Sequence, residues 1–392
     1  MKRPAPPARR APWHTQRMHP RWAPGAHTAR AAAPARCCGY DCHASPLPPP
    51  PASPLPETPR HMQAPATSSP APSFTQFQGQ DLVRVGGHDN YLLLAPRAGA
   101  RLVRWVHRGE DILHWPDPAD WSQPARVRGG NPLLFPFIAR HFVDGAPGAW
   151  RDANGAVRAL PSHGFARDLP FALTQYDAGS HIAMTLRASD ATRAGYPFEF
   201  AFEAGYRLLE DGLEATLRTR NTGTQPLPYY AGHHFYFALA HEARGAAVLE
   251  MPDADLMRQR ADGALDALGA GAASYSLDDA RLQDTFHVLR ESHTAPHAAP
   301  RACILAMPPN AAAPRGRRLA IELDTPALPD APDAPAAAPW FAVTTWSEHA
   351  DADFYCVEPW LGLPNAIHHG TGLRWLAPGQ EETAVCRLRI LA

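Results

Sequence analysis

From Phe74 onward, apolar residues recur mostly at every second position, in short runs closed by glycine, proline or an Asn/Asp turn. That period sends alternate side chains to opposite faces of an extended backbone. LVRVGGHDNYLLLAP (82–96) and ARLVRWVHRGEDILHW (100–115) read as strand, turn, strand, with Arg108-Gly109-Glu110-Asp111 as a reversal. FEFAFEAGYRLLEDGLEATLRTRNTG (198–223) repeats the device. Phe198, Phe200 and Phe202 alternate, Glu210-Asp211-Gly212 turns the chain, and Leu213, Ala215 and Leu217 continue one face. Helical periodicity is convincing nowhere except around Asp278–Phe286, where a short helix is expected. Short strands between Gly/Pro turns imply an all-β, antiparallel sandwich. A chain of 392 residues could hold two domains, but large sandwiches often stay one unit.

Residues 1–73 are of another kind. They hold 18 of the 44 prolines, are rich in Arg and Ala, and have no acidic residue before Asp41. Such a segment has too few apolar side chains to offset its ordering entropy, so a disordered tail is expected, with residues 74–392 as the folded domain. Met62 is an alternative start that would make the tail an artefact of gene calling. The tail lacks the apolar run of a secretory signal, and its prolines oppose the amphipathic helix of a transit peptide. Cys37, Cys38, Cys42 and His43 crowd too closely for a closed tetrahedral metal site. The six cysteines show no disulfide framework, so a reducing, cytoplasmic setting is expected. A net charge of −1 gives no field for nucleic acid or an anionic membrane, and no apolar stretch reaches ~18 residues. Ala327–Trp340, rich in Pro and Ala, reads as an inserted surface loop.

Around Arg128–Phe171 the composition turns from structural to chemical. Gly129, Gly130, Pro132 and Pro136 frame Leu133, Leu134, Phe135 and Phe137, a spacing that no regular helix tolerates, so a short buried strand or extended loop is expected. Downstream, His163 and Arg167 flank Gly164, which lets backbone approach a ligand closely. Arg128, Arg140 and Arg167 in one region suggest an oxygen-rich or anionic ligand. Taken alone, these residues fit a satisfied loop histidine and surface charges better than a site.

GGNPLLFPFIAR with LPSHGFAR resembles the paired signature of the aldose 1-epimerase (galactose mutarotase-like) family, and is similar also to its hexose-6-phosphate mutarotase branch. AGHHFYFAL (231–239) is similar to the family's G-x-H-x-Y-F segment, and CVEPWLGLPNAIHHGTGLRWLAPGQEETAVCRLRI (356–390) to its C-terminal E-P-W segment and last strand. The four stretches run in family order from about residue 80 to the C-terminus. The resemblance implies the large antiparallel supersandwich, and mutarotation as the reaction. A pyranose ring opens, turns about C1–C2 and recloses on the other face. One group takes the anomeric hydroxyl proton and another protonates the ring oxygen. No cofactor and no metal are required, because nothing is oxidised and no C–C bond breaks.

The resemblance implies Glu358 as general base. Pro359 beside it suggests that its strand ends at the pocket rim. The same likeness implies His234 as general acid, chosen over His233 by the family spacing, although Phe235 stands where the family often has proline. A carboxylate would be ionised at neutral pH, and a carboxylate-rich pocket could hold the histidine protonated. His163 would bond the ring oxygen or a neighbouring hydroxyl and share the acid role. Arg128, Arg140 and Arg167 would contact sugar or phosphate through guanidinium forks. Trp115, Trp121, Trp360 and Trp375 could stack on sugar faces, though packing suits most of them better.

The leading expectation is therefore an aldose 1-epimerase acting on a free aldohexose, as a monomer or homodimer. Alternatives are the same chemistry on a hexose 6-phosphate, or a silent carbohydrate-binding protein on the same fold. There is no G-x-S-x-G, Walker or H-E-x-x-H motif, and His368-His369 lack a third ligand at a telling spacing for a cupin-like metal site.

Overall fold

The computed structural model describes residues 72–290, 301–323 and 339–391. The expected tail, Met62, the Cys37–His43 cluster and nearly all of the Ala327–Trp340 loop lie outside these residues. Two large antiparallel sheets supply the frame. One has nine strands, in the order Ala172–Asp177, His181–Arg187, Phe200–Leu209, Gly212–Asn221, Glu381–Leu391, Arg317–Leu323, Ala302–Met307, Val248–Glu250 and Ser274–Ser276. The other has eight. Its path runs through Leu265–Ala270, Ala254–Gln259, Thr285–Leu289, Ala342–Trp346, Phe354–Trp360, Gly232–His233 and Leu133–Leu134, with Phe235–Ala238 also paired to Phe354–Trp360. A five-stranded meander over residues 74–111 and three two-stranded ladders accompany them among the described residues.

The alternation of the sequence is what builds the core. Phe200, Phe202, Leu217 and Leu388 of the larger sheet share one buried cluster with Leu133, Phe235, Val343 and Val357 of the smaller. Full burial of each such side chain stabilises the fold by roughly 1.5–3 kcal/mol. Phe135 anchors this layer, stacked on Phe202 with ring centroids 4.2 Å apart. The stretch around it is extended and almost wholly buried, as its prolines require. The Phe200–Asn221 hairpin turns at Glu210-Asp211 with Leu209 opposite Gly212. A Cβ at Gly212 would stand 2.0 Å from the Leu388 carbonyl, so only glycine lets the next strand lie this close.

Two local expectations need correction. Asp278–Phe286 forms only one 3₁₀ turn, Ala280–Leu282, capped by the Asp279 side chain accepting from Arg281 N at 2.9 Å. Thr285 and Phe286, β-branched and aromatic, are instead drafted into the ladder opposite Thr345 and Thr344. Nor does Pro359 end its strand, which runs on to Trp360. Gly232 faces Trp360 and Phe235 faces Val357, and between these pairings the neighbouring strand is broken at His234. Pro359, which has no N–H to give, falls where that ladder is interrupted.

Candidate active site

The break at His234 is the structural centre of the site. Either side of it the strand alternates, so His233 stacks with Phe235 (4.9 Å) on the core face, whereas His234 stacks with Tyr236 (4.6 Å) on the other. Asn131 secures both. Its Oδ1 accepts from the His234 backbone N–H at 2.8 Å, and its Nδ2 lies 2.9 Å from both His233 Nδ1 and the Tyr206 hydroxyl. Glu358 projects on the same face as His234, and its Oε1 is 3.4 Å from His234 Nε2. Trp360 Nε1 donates to Glu358 Oε2 at 3.2 Å, which fixes the plane of the carboxyl group.

His163 arrives from the opposite wall. Its backbone is left-handed, with φ 65°, an uncommon conformation for a side-chain-bearing residue. Two bonds to Ala139 hold it there: His163 N donates to the Ala139 carbonyl at 2.9 Å, and Ala139 N donates to His163 Nδ1 at 3.2 Å. The second leaves Nε2 as the nitrogen bearing the proton. Gly164 follows with φ +73°, its Cα so close to the Phe135 carbonyl that a Cβ would stand 2.0 Å from it. This contact presses the His-Gly segment onto the Phe-Pro strand and sets the His163 ring 5.6 Å from that of His234.

All six residues singled out in the sequence line one cleft of about 430 Å³: His163, His234, Glu358, Arg128, Arg140 and Arg167. That volume falls in the range of small-molecule sites, about 300–1,000 Å³. Of the four tryptophans, Trp360 lines the cleft. Trp115 and Trp121 pack on each other at 5.1 Å, and Trp375 is exposed. His368 and His369 belong to neither of the metal-capable clusters among the described residues. Sequence reasoning missed Trp346, Thr344, Asp284 and Arg126 in the lining, and Asn131 and Arg101 behind it. Thr344 and Trp346 could have been found from strand pairing, since they stand opposite Glu358 and Cys356.

The electrostatics differ from the expected carboxylate-rich pocket. Burial pushes the Glu358 carboxyl well above the usual carboxylate range. His234 is pushed well below the usual imidazole range, first by burial and then by Arg167, Arg128 and Arg101. His163 goes the same way, by burial and then by Arg167. Burial thus disfavours the charged form of each member of the Glu358–His234 pair, and the guanidinium groups add to this only at His234. Arg128 donates to Glu348 at 3.0 Å. Arg140 lies exposed over the Phe142 ring at 5.9 Å and forms no ion pair among the described residues. Arg167 donates to the Ser162 carbonyl at 2.7 Å, while its buried Nε has no partner among the described residues. Beneath them Arg101 is 1% exposed, has one bond to the Val127 carbonyl, and is pulled down to about 10 by burial.

Residues 81–253 match the family model described as Aldose 1-epimerase. That stretch, under half of the chain, is similar to the aldose 1-epimerase family. The matched stretch takes in His163, His234 and the three cleft arginines, and Glu358 lies beyond it. A Salmonella typhimurium protein named "Putative glucose-6-phosphate 1-epimerase" is 29% identical over 144 residues, 36% of this chain and 44% of that protein. An Escherichia coli K12 protein of the same name is 27% identical over the same shares. The chain thus spans under half the length of the curated relatives it matches. Among solved structures, a galactose mutarotase related enzyme from Lactobacillus acidophilus superposes with TM-score 0.61 at 19% identity, covering 79% of this chain and 97% of that one. A galactose mutarotase-like protein from Clostridium acetobutylicum gives 0.63 at 15%, covering 81% and 98%. The antiparallel galactose mutarotase-like sandwich expected of the sequence is the fold observed. No helix among the described residues is long and apolar enough to cross a membrane.

Proposed function

We propose that the chain is an aldose 1-epimerase whose substrate is an aldohexose carrying a phosphate remote from the anomeric carbon. The observation that carries this reading is an acid/base pair 3.4 Å apart in a cleft with uncompensated guanidinium groups. Neutral Glu358 beside neutral His234, and carboxylate beside imidazolium, differ only in where one proton sits. In either form one group can donate to the ring oxygen while the other accepts from the anomeric hydroxyl. Ring opening converts one form to the other, and closure on the opposite face converts it back. No net proton is taken up. Glu358 is the base, as the family likeness implies, whenever the proton resides on His234.

His163, with its proton on Nε2, serves as a donor to a ring or hydroxyl oxygen. Arg140 and Arg167 form no ion pair among the described residues and suit a phosphate, which Arg101 near Arg167 further favours. The names of the two Salmonella and Escherichia relatives support the phosphorylated substrate over the free aldohexose that leads from the sequence alone. A silent binder has no use for a matched acid and base. Cys303, Cys356 and Cys386 are buried free thiols, which supports the cytoplasmic setting.

Saturation-transfer NMR between the two anomeric protons tests this directly. Catalysed exchange in glucose 6-phosphate well beyond that in glucose or galactose is expected. Equal catalysis on free sugars would remove the phosphate from the reading, and no catalysis on any of the three would leave only carbohydrate binding.

A further inference from the structure

Cys356 has no part in the proton transfers above, yet it stands beside both groups that perform them. On the Phe354–Trp360 strand it lies two residues before Glu358, hence on the same face. In the adjoining strand it is opposite Tyr236, on whose ring His234 stacks. One ligand atom each from His234, Cys356 and Glu358 lies within 4.8 Å of the other two, and all three residues are buried.

We propose that His234, Cys356 and Glu358 form an inhibitory site for a borderline-soft divalent cation, of which Zn²⁺ is the best match. Tetrahedral zinc with sulfur at about 2.3 Å and nitrogen or oxygen at about 2.0–2.2 Å sets its ligand atoms roughly 3.3–3.8 Å apart. The trio therefore closes on an ion by shifts of about 1 Å or less. A thiolate, a carboxylate and an imidazole select zinc over hard cations such as Mg²⁺ or Ca²⁺. The outer contacts needed to orient such ligands are already in place. Trp360 holds Glu358 Oε2, leaving Oε1 toward His234, and Asn131 holds the His234 backbone. His234 Nδ1 and Thr344 Oγ1 are buried without a partner among the described residues, so polar capacity remains at this spot for a ligand.

Charge decides whether a cation can enter a cleft lined with arginines. Binding releases the thiol proton and the carboxyl proton. The ion with one thiolate, one carboxylate and a neutral imidazole then sums to zero, so the guanidinium groups face no added positive charge. Because those two protons are released, occupancy strengthens as pH rises. An ion so held takes the lone pairs of both proton-transfer groups and stops turnover. The ligand set is geometric, whereas the inhibition it would cause rests on the epimerase reading.

The test uses the full chain carrying Cys37→Ser, Cys38→Ser and Cys42→Ser, so that the N-terminal thiols cannot contribute. Co²⁺ is added as a spectroscopic probe and Zn²⁺ as the inhibitor. A thiolate-to-cobalt charge-transfer band in the near ultraviolet is expected, displaced by Zn²⁺. Cys356→Ser, or Cys356→Ala if the serine variant fails to fold, should abolish the band. Groups outside a metal's first shell already change affinity by roughly 10–100-fold, so losing this ligand should weaken zinc inhibition at least about tenfold. The rate without metal should be unchanged. No cobalt–thiolate band would overturn the site, and so would zinc inhibition that persists undiminished without Cys356. The cobalt band is read without any sugar, so failure of the epimerase reading leaves this result intact.

Discussion

On the nine-stranded sheet, Arg387 stands directly opposite Glu214 in the ladder and donates to it at 2.8 Å. Arg218 likewise faces Glu203, and Arg389 bonds Asp211. In the cleft of the eight-stranded sheet, Arg140 and Arg167 have no carboxylate partner among the described residues, and Arg101 is buried beneath them with a single carbonyl acceptor. The same side chain thus does opposite things on the two faces. Where a strand partner matches its charge, arginine finishes a sheet surface. Where none does and the group is buried, as at Arg101 and the Arg167 Nε, an arriving anion can offset the cost of desolvating it.

The sharpest test of that contrast removes the chemistry that the cleft would serve. Glu358→Gln keeps the shape and can still bond a hydroxyl, but it cannot exchange a proton with His234. Turnover, read by anomeric exchange, should fall by roughly 10²–10⁴-fold with sugar affinity little changed. Near-native turnover in a folded variant would make Glu358 a structural residue. The native enzyme should show a bell-shaped pH profile. Activity falls on acidification as the pair gains a second proton on His234, below the ordinary imidazole range. It falls on the alkaline side as the pair loses its only mobile proton, above the ordinary carboxylate range.

Next in size is Arg167→Ala, which should lower kcat/KM for a hexose 6-phosphate by about 10–100-fold, the worth of a charge-assisted bond of ~1.5–3 kcal/mol. Free glucose should be affected far less; equal losses on both would place Arg167 among the structural arginines. Arg387→Ala should do the reverse. Kinetic constants should hold, while thermal stability drops by about 1–3 kcal/mol because Glu214, 5% exposed, loses its partner. Smallest is Arg218→Ala, whose half-exposed pair is worth about 0–1 kcal/mol, a change in melting temperature near the limit of measurement.

Much of this was legible in the chain itself. Period-two runs announced the strands, because one face of each had to meet the core, and Phe200, Phe202, Leu213 and Leu217 all do. The six site residues could be named because their motifs resemble those of the aldose 1-epimerase family; composition and spacing alone favoured a loop histidine and surface arginines. What could not be read was electrostatic or depended on neighbours distant in sequence. Glu358 looked like a rim carboxylate because Pro359 looked like a strand end, and only the break at His234 in the neighbouring strand shows otherwise. Arg101 lies in an apolar strand, ARLVRWV, where nothing local says that it will sit under Arg128 and Arg167. The 3₁₀ turn at Ala280–Leu282 misled because Asp278–Gln283 has helical spacing while Thr285 and Phe286 belong to a sheet.

Asn131 bears on how such a site could be moved or redesigned. One amide holds the backbone of His234, the ring of His233 and the hydroxyl of Tyr206, which belongs to the other sheet. An engineer grafting His163, His234 and Glu358 onto another sandwich would carry the reagents without their jig. The imidazole would then hang from a broken strand with nothing to set its height above the carboxyl. A transplant that includes the asparagine and a tyrosine reaching across from the facing sheet would keep the donor-to-acceptor gap. The smallest portable unit is therefore five side chains drawn from both layers, and a library varying only the three in the cleft would be searching the wrong positions.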